Sequence, residues 1–258
     1  MRIWYQSSIP LGVDPGFSAY EESLRKHCRE VARSDSSVDV YGTEVLSEKI
    51  ESSRYIESLH ISHILKNAIR AEREGYDVFA MGCMLDPGFL DVREVIRIPV
   101  VFGAEVCFHL ACMLAQKFAL LGYNEGVLRR VSQEVEKYGL EKWLIPSDSF
   151  SISLIELQNG FKRPQHIISE VGSIAGKAAG RGAGALLSTC NCLNMILVDN
   201  GVREVEGLTV VDNVGVTVKA AEFMADLNKI GIGRSKKGAY APLAREDLAN
   251  VRKMYGLD

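Results

Sequence analysis

Several features that mark other classes of protein are scarce in this chain of 258 residues. No apolar run approaches the roughly 20 residues that a membrane-spanning helix needs, so no membrane contact is expected. The net charge of −3 leaves no basic surface of the kind that binds nucleic acid, which excludes that class of partner. The first residues are typical of a strand and not of a cleavable signal peptide, so we expect a cytoplasmic protein.

Nucleotide and metal sites also lack their usual sequence signals. The chain has no Walker-type loop, no Gly-x-Gly-x-x-Gly after a strand and no zinc-type ligand spacing. His60 and His63 lie three residues apart on a predicted helix, but no third ligand accompanies them. The sequence therefore predicts an activity that needs neither a cofactor nor a metal ion. Six cysteines in a chain of this length do not form a disulfide scaffold, so reduced thiols are expected.

What the chain does contain is an alternation of short apolar runs and amphipathic segments. Runs typical of strands occupy residues 2–6, 38–41, 78–81, 98–102, 118–121, 185–188 and 209–211, and helical patterns separate most of them. Strands joined by helices form parallel sheets with helices on both faces. The pattern predicts an α/β fold, and a composition of 47% hydrophobic and 24% charged residues is that of an ordinary globular protein.

One pattern occurs twice along the chain. A glycine, a short apolar run and then a cysteine appear at Gly75 to Cys83 and again at Gly182 to Cys190, with the same separation of 107 residues at both ends of the pattern. In each copy the cysteine stands where the strand should end. An internal duplication of this kind indicates two related lobes with one thiol on each wall of the cleft between them. Removal of a proton from one face of a carbon and delivery to the other needs such an arrangement.

In parallel sheets, ligands bind beyond the carboxyl ends of the strands. Three predicted strands end in segments with polar or thiol side chains that could contact a ligand, at residues 6–8, at Cys83 and at Cys190. The N-terminus of a following helix favours a negatively charged thiolate and supplies backbone N–H groups for a substrate oxygen. We therefore expect these three segments to form the site.

The sequence resembles the aspartate/glutamate/hydantoin racemase superfamily, and its hydantoin-racemase-like branch in particular. The residues that carry the resemblance are 75–77, 82–94 with the stretch Cys83-Met-Leu-Asp86-Pro87-Gly88, 98–105, 182–190 and 238–240. The resemblance covers most of the chain. It implies two Rossmann-like lobes with mostly parallel sheets, related by a pseudo-twofold axis. It also implies cofactor-independent chemistry with two thiols flanking the stereocentre of the substrate.

Individual residues match positions of the family pattern. Cys83 and Cys190 match the two acid/base cysteines, and Gln6 and Ser7 match the first-strand loop that contacts the substrate. Met84 and Asn191 follow the cysteines, where backbone N–H groups should point at the ligand.

Three departures from the family pattern bear on the substrate. Amino-acid racemases of the superfamily tend to have Cys-Asn-Thr at the first cysteine, where this chain has Cys83-Met84-Leu85. The hydantoin branch usually has Asn where Gln6 stands, and Cys192 adds a surplus thiol. These changes leave the reaction class in place and the substrate open.

Several residues also have purely structural interpretations. Cys28, Cys107 and Cys112 lie in helical patterns and are expected to be structural, whereas the part played by Cys192 stays open. Asp86 is expected to cap the helix after the Cys83 loop. Glu105 is expected to favour a helix N-terminus.

The sequence thus predicts a racemase or epimerase that acts on the carbon next to a carbonyl, with a small molecule of the hydantoin type as the favoured substrate. The alternatives are an Asp/Glu-type amino-acid racemase, an enzyme like maleate isomerase or arylmalonate decarboxylase, and a two-lobed small-molecule binding protein. The decarboxylase pattern has one thiol, and paired thiols argue against the binding protein.

We expect the first lobe to comprise residues 1–102 and 213–258 and the second lobe residues 103–212. Within the segment 234–242, the stretch Gly238-Ala-Tyr240-Ala-Pro242 is too apolar for a free tail. We expect it to pack at the mouth of the cleft or on a neighbouring subunit of a homo-oligomer.

Overall fold

A computed structural model describes residues 1–45 and 53–257 of the chain. Its strands are β1 (Arg2–Ser7), β2 (Ser37–Tyr41), β3 (Val78–Gly82), β4 (Val100–Phe102), β5 (Phe118–Gly122), β6 (Asp148–Ser149), β7 (Ala185–Ser188), β8 (Glu204–Val205) and β9 (Leu208–Val211). Its helices are α1 (Ser18–Val31), α2 (Arg54–Arg73), α3 (Phe89–Val95), α4 (Gly103–Leu114), α5 (Glu125–Lys137), α6 (Leu154–Gln158), α7 (Gln165–Gly180), α8 (Asn191–Asp199), α9 (Asn213–Lys229) and α10 (Arg245–Met254).

The strands form two sheets with the same connectivity. The first sheet has the order β2-β1-β3-β4, and the second has β6-β5-β7-β9 with β8 added at the edge. All pairs are parallel except β8 with β9. The predicted α/β fold of two related Rossmann-like lobes with mostly parallel sheets is therefore confirmed.

The strands that carry the duplicated pattern lie in the interior of their sheets. Every residue of β3 and of β7 is buried, which is why both read as continuous apolar runs and not as alternating ones. Each is paired on both sides, β3 by β1 and β4 and β7 by β5 and β9. The ends of β3 and β7 are thereby held at equivalent positions in the two sheets.

Helix α4 lies between the sheets, and helix α9 packs against it. Helix α9 follows the last strand of the second sheet but packs against β1, β3 and β4 of the first. Helix α4 contacts β3 and β4 and also β7 and β9. The lobe boundaries proposed from the sequence assign these two helices to opposite lobes, and the exact boundaries stay a prediction.

The C-terminal segment packs on the first lobe. The Arg234 guanidinium donates to the Ile96 carbonyl at 2.7 Å, and the Leu243 N–H donates to the Glu94 carbonyl at 2.8 Å. The Tyr240 ring lies 5.2 Å from the Arg93 guanidinium. Residues 234–243 thus lie along α3, and packing at the mouth of the cleft or on a neighbouring subunit stays a prediction.

Candidate active site

One cavity contains both cysteines of the duplicated pattern. Cys83 follows β3 directly, and Cys190 follows β7 after one intervening residue. Twelve residues line the cavity: Ser8, Ile9, Tyr20, Gly82, Cys83, Met84, Leu85, Val127, Thr189, Cys190, Asn191 and Cys192. Four of the six residues predicted for the site, both cysteines and the residue after each, therefore come together here.

Gln6 and Ser7 lie beside the cavity and are not among the residues that line it. The side-chain oxygen of Gln6 accepts from the Trp4 indole at 3.1 Å and from the Asn67 side-chain amide at 3.0 Å. The side-chain NH₂ of Gln6 donates to the Ser7 backbone carbonyl at 2.8 Å. The Ser7 hydroxyl accepts from the Ile9 N–H at 3.1 Å. These bonds shape the loop that brings Ile9 and its neighbour Ser8 to the cavity. Direct contact of Gln6 or Ser7 with a substrate stays a prediction.

The Cys190 loop leads straight into a helix. Cys190 has extended backbone angles and is the N-cap residue of α8, and its carbonyl accepts from the Asn194 N–H at 2.9 Å. The positive end of the α8 dipole and the N–H groups of its first turn therefore lie beside this thiol. This is the arrangement that the sequence predicted for both cysteines.

The Cys83 loop is built differently. Cys83 is followed by a turn, and α3 begins only at Phe89 after Gly88, which has a φ of 72°. The helix that comes close to Cys83 is instead α4. A Cβ atom added to Gly103 would lie 3.3 Å from both the amide nitrogen and the carbonyl oxygen of Cys83.

Asp86 caps a different helix from the one that the sequence predicted. Its carboxylate accepts from the N–H groups of Ala104 at 2.9 Å and Glu105 at 2.8 Å in the first turn of α4. It also accepts from the Tyr138 hydroxyl at 2.6 Å. Asp86 is 2% exposed, and this burial raises its pKa to about 7 even though the three hydrogen bonds lower it. The expectation that Asp86 caps the following helix, α3, is therefore wrong. Its side chain reaches across the turn to α4.

Glu105 does lie in the first turn of α4, as the sequence predicted. Its carboxylate also accepts from the Arg93 guanidinium at 2.7 Å, and this arginine is buried. The pair connects α3 with α4 close to the Cys83 loop.

Two polar side chains of the cavity have an atom without a partner in the part of the chain that the structure describes. The Thr189 hydroxyl and the Asn191 carbonyl oxygen are both buried and make no hydrogen bond there. Buried polar atoms are nearly always satisfied, because an unmade hydrogen bond costs ~1–3 kcal/mol. The cavity can therefore offer a hydroxyl donor and an amide acceptor to a polar ligand. Thr189 was not predicted from the sequence, although it occupies the repeat position equivalent to Gly82.

Two tyrosines of the first lobe complete the surroundings. The Tyr5 hydroxyl accepts from the Asn191 amide at 3.1 Å, which connects β1 to α8. Tyr20 lines the cavity, and burial together with the nearby Cys192 and Cys190 thiols raises its pKa well above the usual range. Tyr20 is therefore a neutral hydroxyl at neutral pH. Its position in the pattern of α1 gives no sign of this location.

The remaining cysteines divide into two groups. Cys192 is fully buried and lines the cavity, so a third thiol lies beside the first two. Cys28 and Cys107 are fully buried within helices, and burial raises the pKa of both thiols, which keeps them protonated. Cys112 on α4 is partly exposed, and burial raises its pKa as well.

Within residues 1–45 and 53–257, no helix is long and apolar enough to cross a membrane. Across the same residues, no group of three or more His, Cys, Asp or Glu side chains is arranged to hold a metal ion.

Comparison with known proteins gives a consistent family assignment. The family model described as Asp/Glu/Hydantoin racemase matches residues 17–221. A hydantoin racemase from Pseudomonas sp. (strain NS671) is 28% identical over 211 residues, which cover 82% of this chain and 83% of that protein. A hydantoin racemase from Paenarthrobacter aurescens is 27% identical over 225 residues, covering 86% and 92%. The solved structure of an allantoin racemase from Klebsiella pneumoniae has the same fold, with a TM-score of 0.78 at 23% identity over 95% of this chain and 94% of that one.

Proposed function

The chain belongs to the Asp/Glu/hydantoin racemase family and is a racemase, and we propose that it inverts the carbon next to a carbonyl by proton transfer between Cys83 and Cys190. A hydantoin-type ring is the favoured substrate, and no cofactor takes part. The observation that supports this proposal is that the two thiols follow equivalent strands of different sheets and line the same cavity.

The reaction needs one thiolate and one thiol. The thiolate removes the α-proton, and the electron pair of the broken C–H bond moves into the carbonyl to give an enolate. The thiol on the other wall then donates its proton to the opposite face of the carbon, the carbonyl re-forms, and the donor is left as the thiolate. The two cysteines have exchanged protonation states, so the enzyme is ready for the opposite enantiomer. Positioned acid/base groups of this kind typically accelerate a proton transfer by about 10²–10⁴-fold.

The polar atoms of the cavity suit a neutral ring with carbonyl and N–H groups. The Asn191 carbonyl oxygen can accept from a ring N–H, and the Thr189 hydroxyl can donate to a ring carbonyl. The neutral Tyr20 hydroxyl is a second donor for the oxygen that gains charge in the enolate. Ile9, Val127 and the Met84–Leu85 wall leave an apolar space for the ring substituent.

The absence of charged groups in the cavity disfavours the alternative substrates. None of the described residues that line the cavity is Asp, Glu, Lys or Arg. Aspartate, glutamate, maleate and arylmalonates all carry carboxylates, and these residues supply no charged partner for a buried carboxylate. Hydantoins are neutral and have more acidic α-protons, so they need less electrostatic help.

The proposal is tested by incubating the enzyme in D₂O with the separate enantiomers of 5-substituted hydantoins, amino acids and substituted malonates. We expect the α-proton of the hydantoins to exchange with inversion, and we expect the rate to survive dialysis against a chelator without added cofactor. Exchange confined to the amino acids would support the amino-acid racemase instead. Loss of activity on chelation, restored by one metal ion, would contradict the cofactor-independent mechanism.

A further inference from the structure

Asp86 has a backbone conformation that needs support. It is three residues beyond Cys83 in the same loop, its N–H donates to the Cys83 carbonyl at 3.4 Å, and its φ of 41° is in the left-handed region. Residues other than glycine rarely adopt this region unless their surroundings hold them there. The conformation of the Cys83 loop therefore depends on what holds the Asp86 side chain.

Two elements hold it. The backbone N–H groups of Ala104 and Glu105 bind the carboxylate at the N-terminus of α4, where the helix dipole favours negative charge. Phe102, the N-cap residue by position, gives α4 no side-chain hydrogen bond, so Asp86 fills that role. The third hydrogen bond comes from Tyr138, the residue that ends α5.

Helix α5 belongs to the other sheet. It packs on β5, and its residue Val127 lines the cavity. The Tyr138 ring lies 5.5 Å from Phe89 and 6.2 Å from Phe108, so it packs between α3 and α4. Tyr138 therefore connects the helix behind one wall of the cavity to the loop that forms the other wall.

The start of α4 has no room to move independently of Cys83. A Cβ atom added to Gly103 would lie 3.1 Å from the Met81 carbonyl and 3.3 Å from the Cys83 backbone. A shift of the first turn of α4 would therefore displace the cysteine. The Asp86 carboxylate fixes that turn and the loop to each other.

From these contacts we propose that Asp86 and Tyr138 are positioning residues whose hydrogen bond sets the place of Cys83 relative to the second lobe. The kinetic consequence of this inference rests on the proposed function, because it takes Cys83 as one of the two acid/base groups. The effect on the Cys83 thiol itself does not depend on any substrate. A misplacement of about 1 Å at a reacting group costs up to 10²-fold in rate, so a small change in this contact is measurable.

The test compares Tyr138→Phe with a matched control, Tyr76→Phe. Tyr76 also donates its hydroxyl to a carboxylate, that of Asp39 at 2.7 Å. It is more deeply buried than the partly buried Tyr138, and it does not line the cavity. The first readout is the rate at which iodoacetamide alkylates Cys83, followed by mass spectrometry of peptides, with Cys112 as the internal reference. We expect Tyr138→Phe to raise the alkylation rate of Cys83 about fivefold, because the loop loses one of the hydrogen bonds that hold it in place. Tyr76→Phe should leave it unchanged.

The second readout is the kinetics of racemisation. Tyr138→Phe should lower kcat about tenfold with little change in KM, because Thr189 and Asn191 lie on the Cys190 wall and Tyr20 lies on α1, all outside the Cys83 loop. Asp86→Asn should also raise the alkylation rate of Cys83. This variant replaces Tyr138→Phe in the test if Tyr138→Phe folds poorly. An unchanged or lower Cys83 rate in the folded variants would overturn the proposal. If Cys83 responds as expected while the wild type racemises none of the compounds, the positioning role stands and the proposed function fails.

Discussion

The two cysteine loops occupy equivalent positions in sheets of the same strand order, yet their surroundings differ. Cys190 is 5% exposed, occupies the N-cap position of α8 and has the polar neighbours Thr189 and Asn191. Cys83 is more exposed, precedes a turn and has the apolar neighbours Gly82 and Met84. The duplication thus retained the thiol and its place on the strand, while one wall came to carry the polar contacts. On the other wall, Asp86 of the Cys83 loop is bound by residues of α4 and by Tyr138 at the end of α5.

The largest effect is expected where the two loops are alike. Replacement of either cysteine, Cys83→Ser or Cys190→Ser, should lower racemisation at least about 10³-fold, because a serine hydroxyl is a far weaker acid than a thiol. Circular dichroism should show an intact fold in both variants. Cys112→Ser, at a partly exposed thiol outside the cavity, is the control and should keep the wild-type rate. A near-normal rate in either cavity variant would contradict the equivalence of the two thiols.

The residue before the cysteine differs between the two loops, Gly82 in one and Thr189 in the other. A Cβ atom on Gly82 would lie 2.1 Å from the Tyr5 hydroxyl oxygen, and Tyr5 is fully buried. Gly82→Ala should therefore lower the free energy of unfolding by about 1–3 kcal/mol in urea denaturation. Gly172→Ala is the control, because its Cβ would meet no atom within 4 Å and it lies inside α7. That variant should be neutral or stabilising. Equal destabilisation by both substitutions would show that Tyr5 does not restrict the end of β3.

The Cys83 loop contains a carboxylate, that of Asp86, whereas Leu193 stands at the equivalent position of the Cys190 loop. The contribution of the Cys83 loop to stability should therefore depend on pH. An unfolded Asp titrates near ~3.9, whereas burial raises the pKa of folded Asp86 to about 7. The stabilisation associated with neutral Asp86 is complete below pH 4 and is lost as the pH rises to 7. The free energy of unfolding of the wild type minus that of Asp86→Asn should therefore fall by about 2–4 kcal/mol between pH 4 and 8. Urea titrations across that range measure the difference, and a constant value would show that Asp86 stays ionised throughout.

Thr189 is expected to affect the substrate more than the fold. Thr189→Val keeps the shape and removes a hydroxyl that has no partner in the described part of the chain, so the free energy of unfolding should not fall. We expect kcat/KM for the hydantoin to fall about tenfold. Thr217→Val is the matched control, because that buried hydroxyl donates to the Asn213 carbonyl at 2.7 Å. It should lose stability and keep its kcat/KM. The same pattern in both variants would remove Thr189 from the site.

The sequence predicted the features that depend on local pattern. The repeat of glycine, apolar run and cysteine located β3 and β7, and it brought Cys83 and Cys190 into one cavity. Strand alternation also places Gln6 on the face of β1 that carries Trp4, away from the face of Tyr5, and this could have been read from the sequence.

Other features depend on tertiary contacts and leave no local signal. The first seven residues of helix α8 are all buried, including the polar Asn191 and Asn194, so its pattern lacks the usual amphipathic period. Asp86 caps α4 and not α3 because α4, which begins 17 residues later, packs against the Cys83 loop. Tyr20 reaches the cavity from an ordinary amphipathic helix, and Tyr138 comes from the other lobe.

The central claim is that each thiol serves one face of the same carbon. The most direct measurement is exchange of the α-proton from each separate enantiomer of a 5-substituted hydantoin in D₂O, followed by proton NMR and chiral chromatography, in Cys83→Ser and Cys190→Ser. We expect each variant to exchange only the enantiomer whose proton faces the remaining thiol, with retention of configuration, and the two variants to select opposite enantiomers. Exchange of the same enantiomer by both variants, or continued inversion by either one, would contradict the two-thiol account.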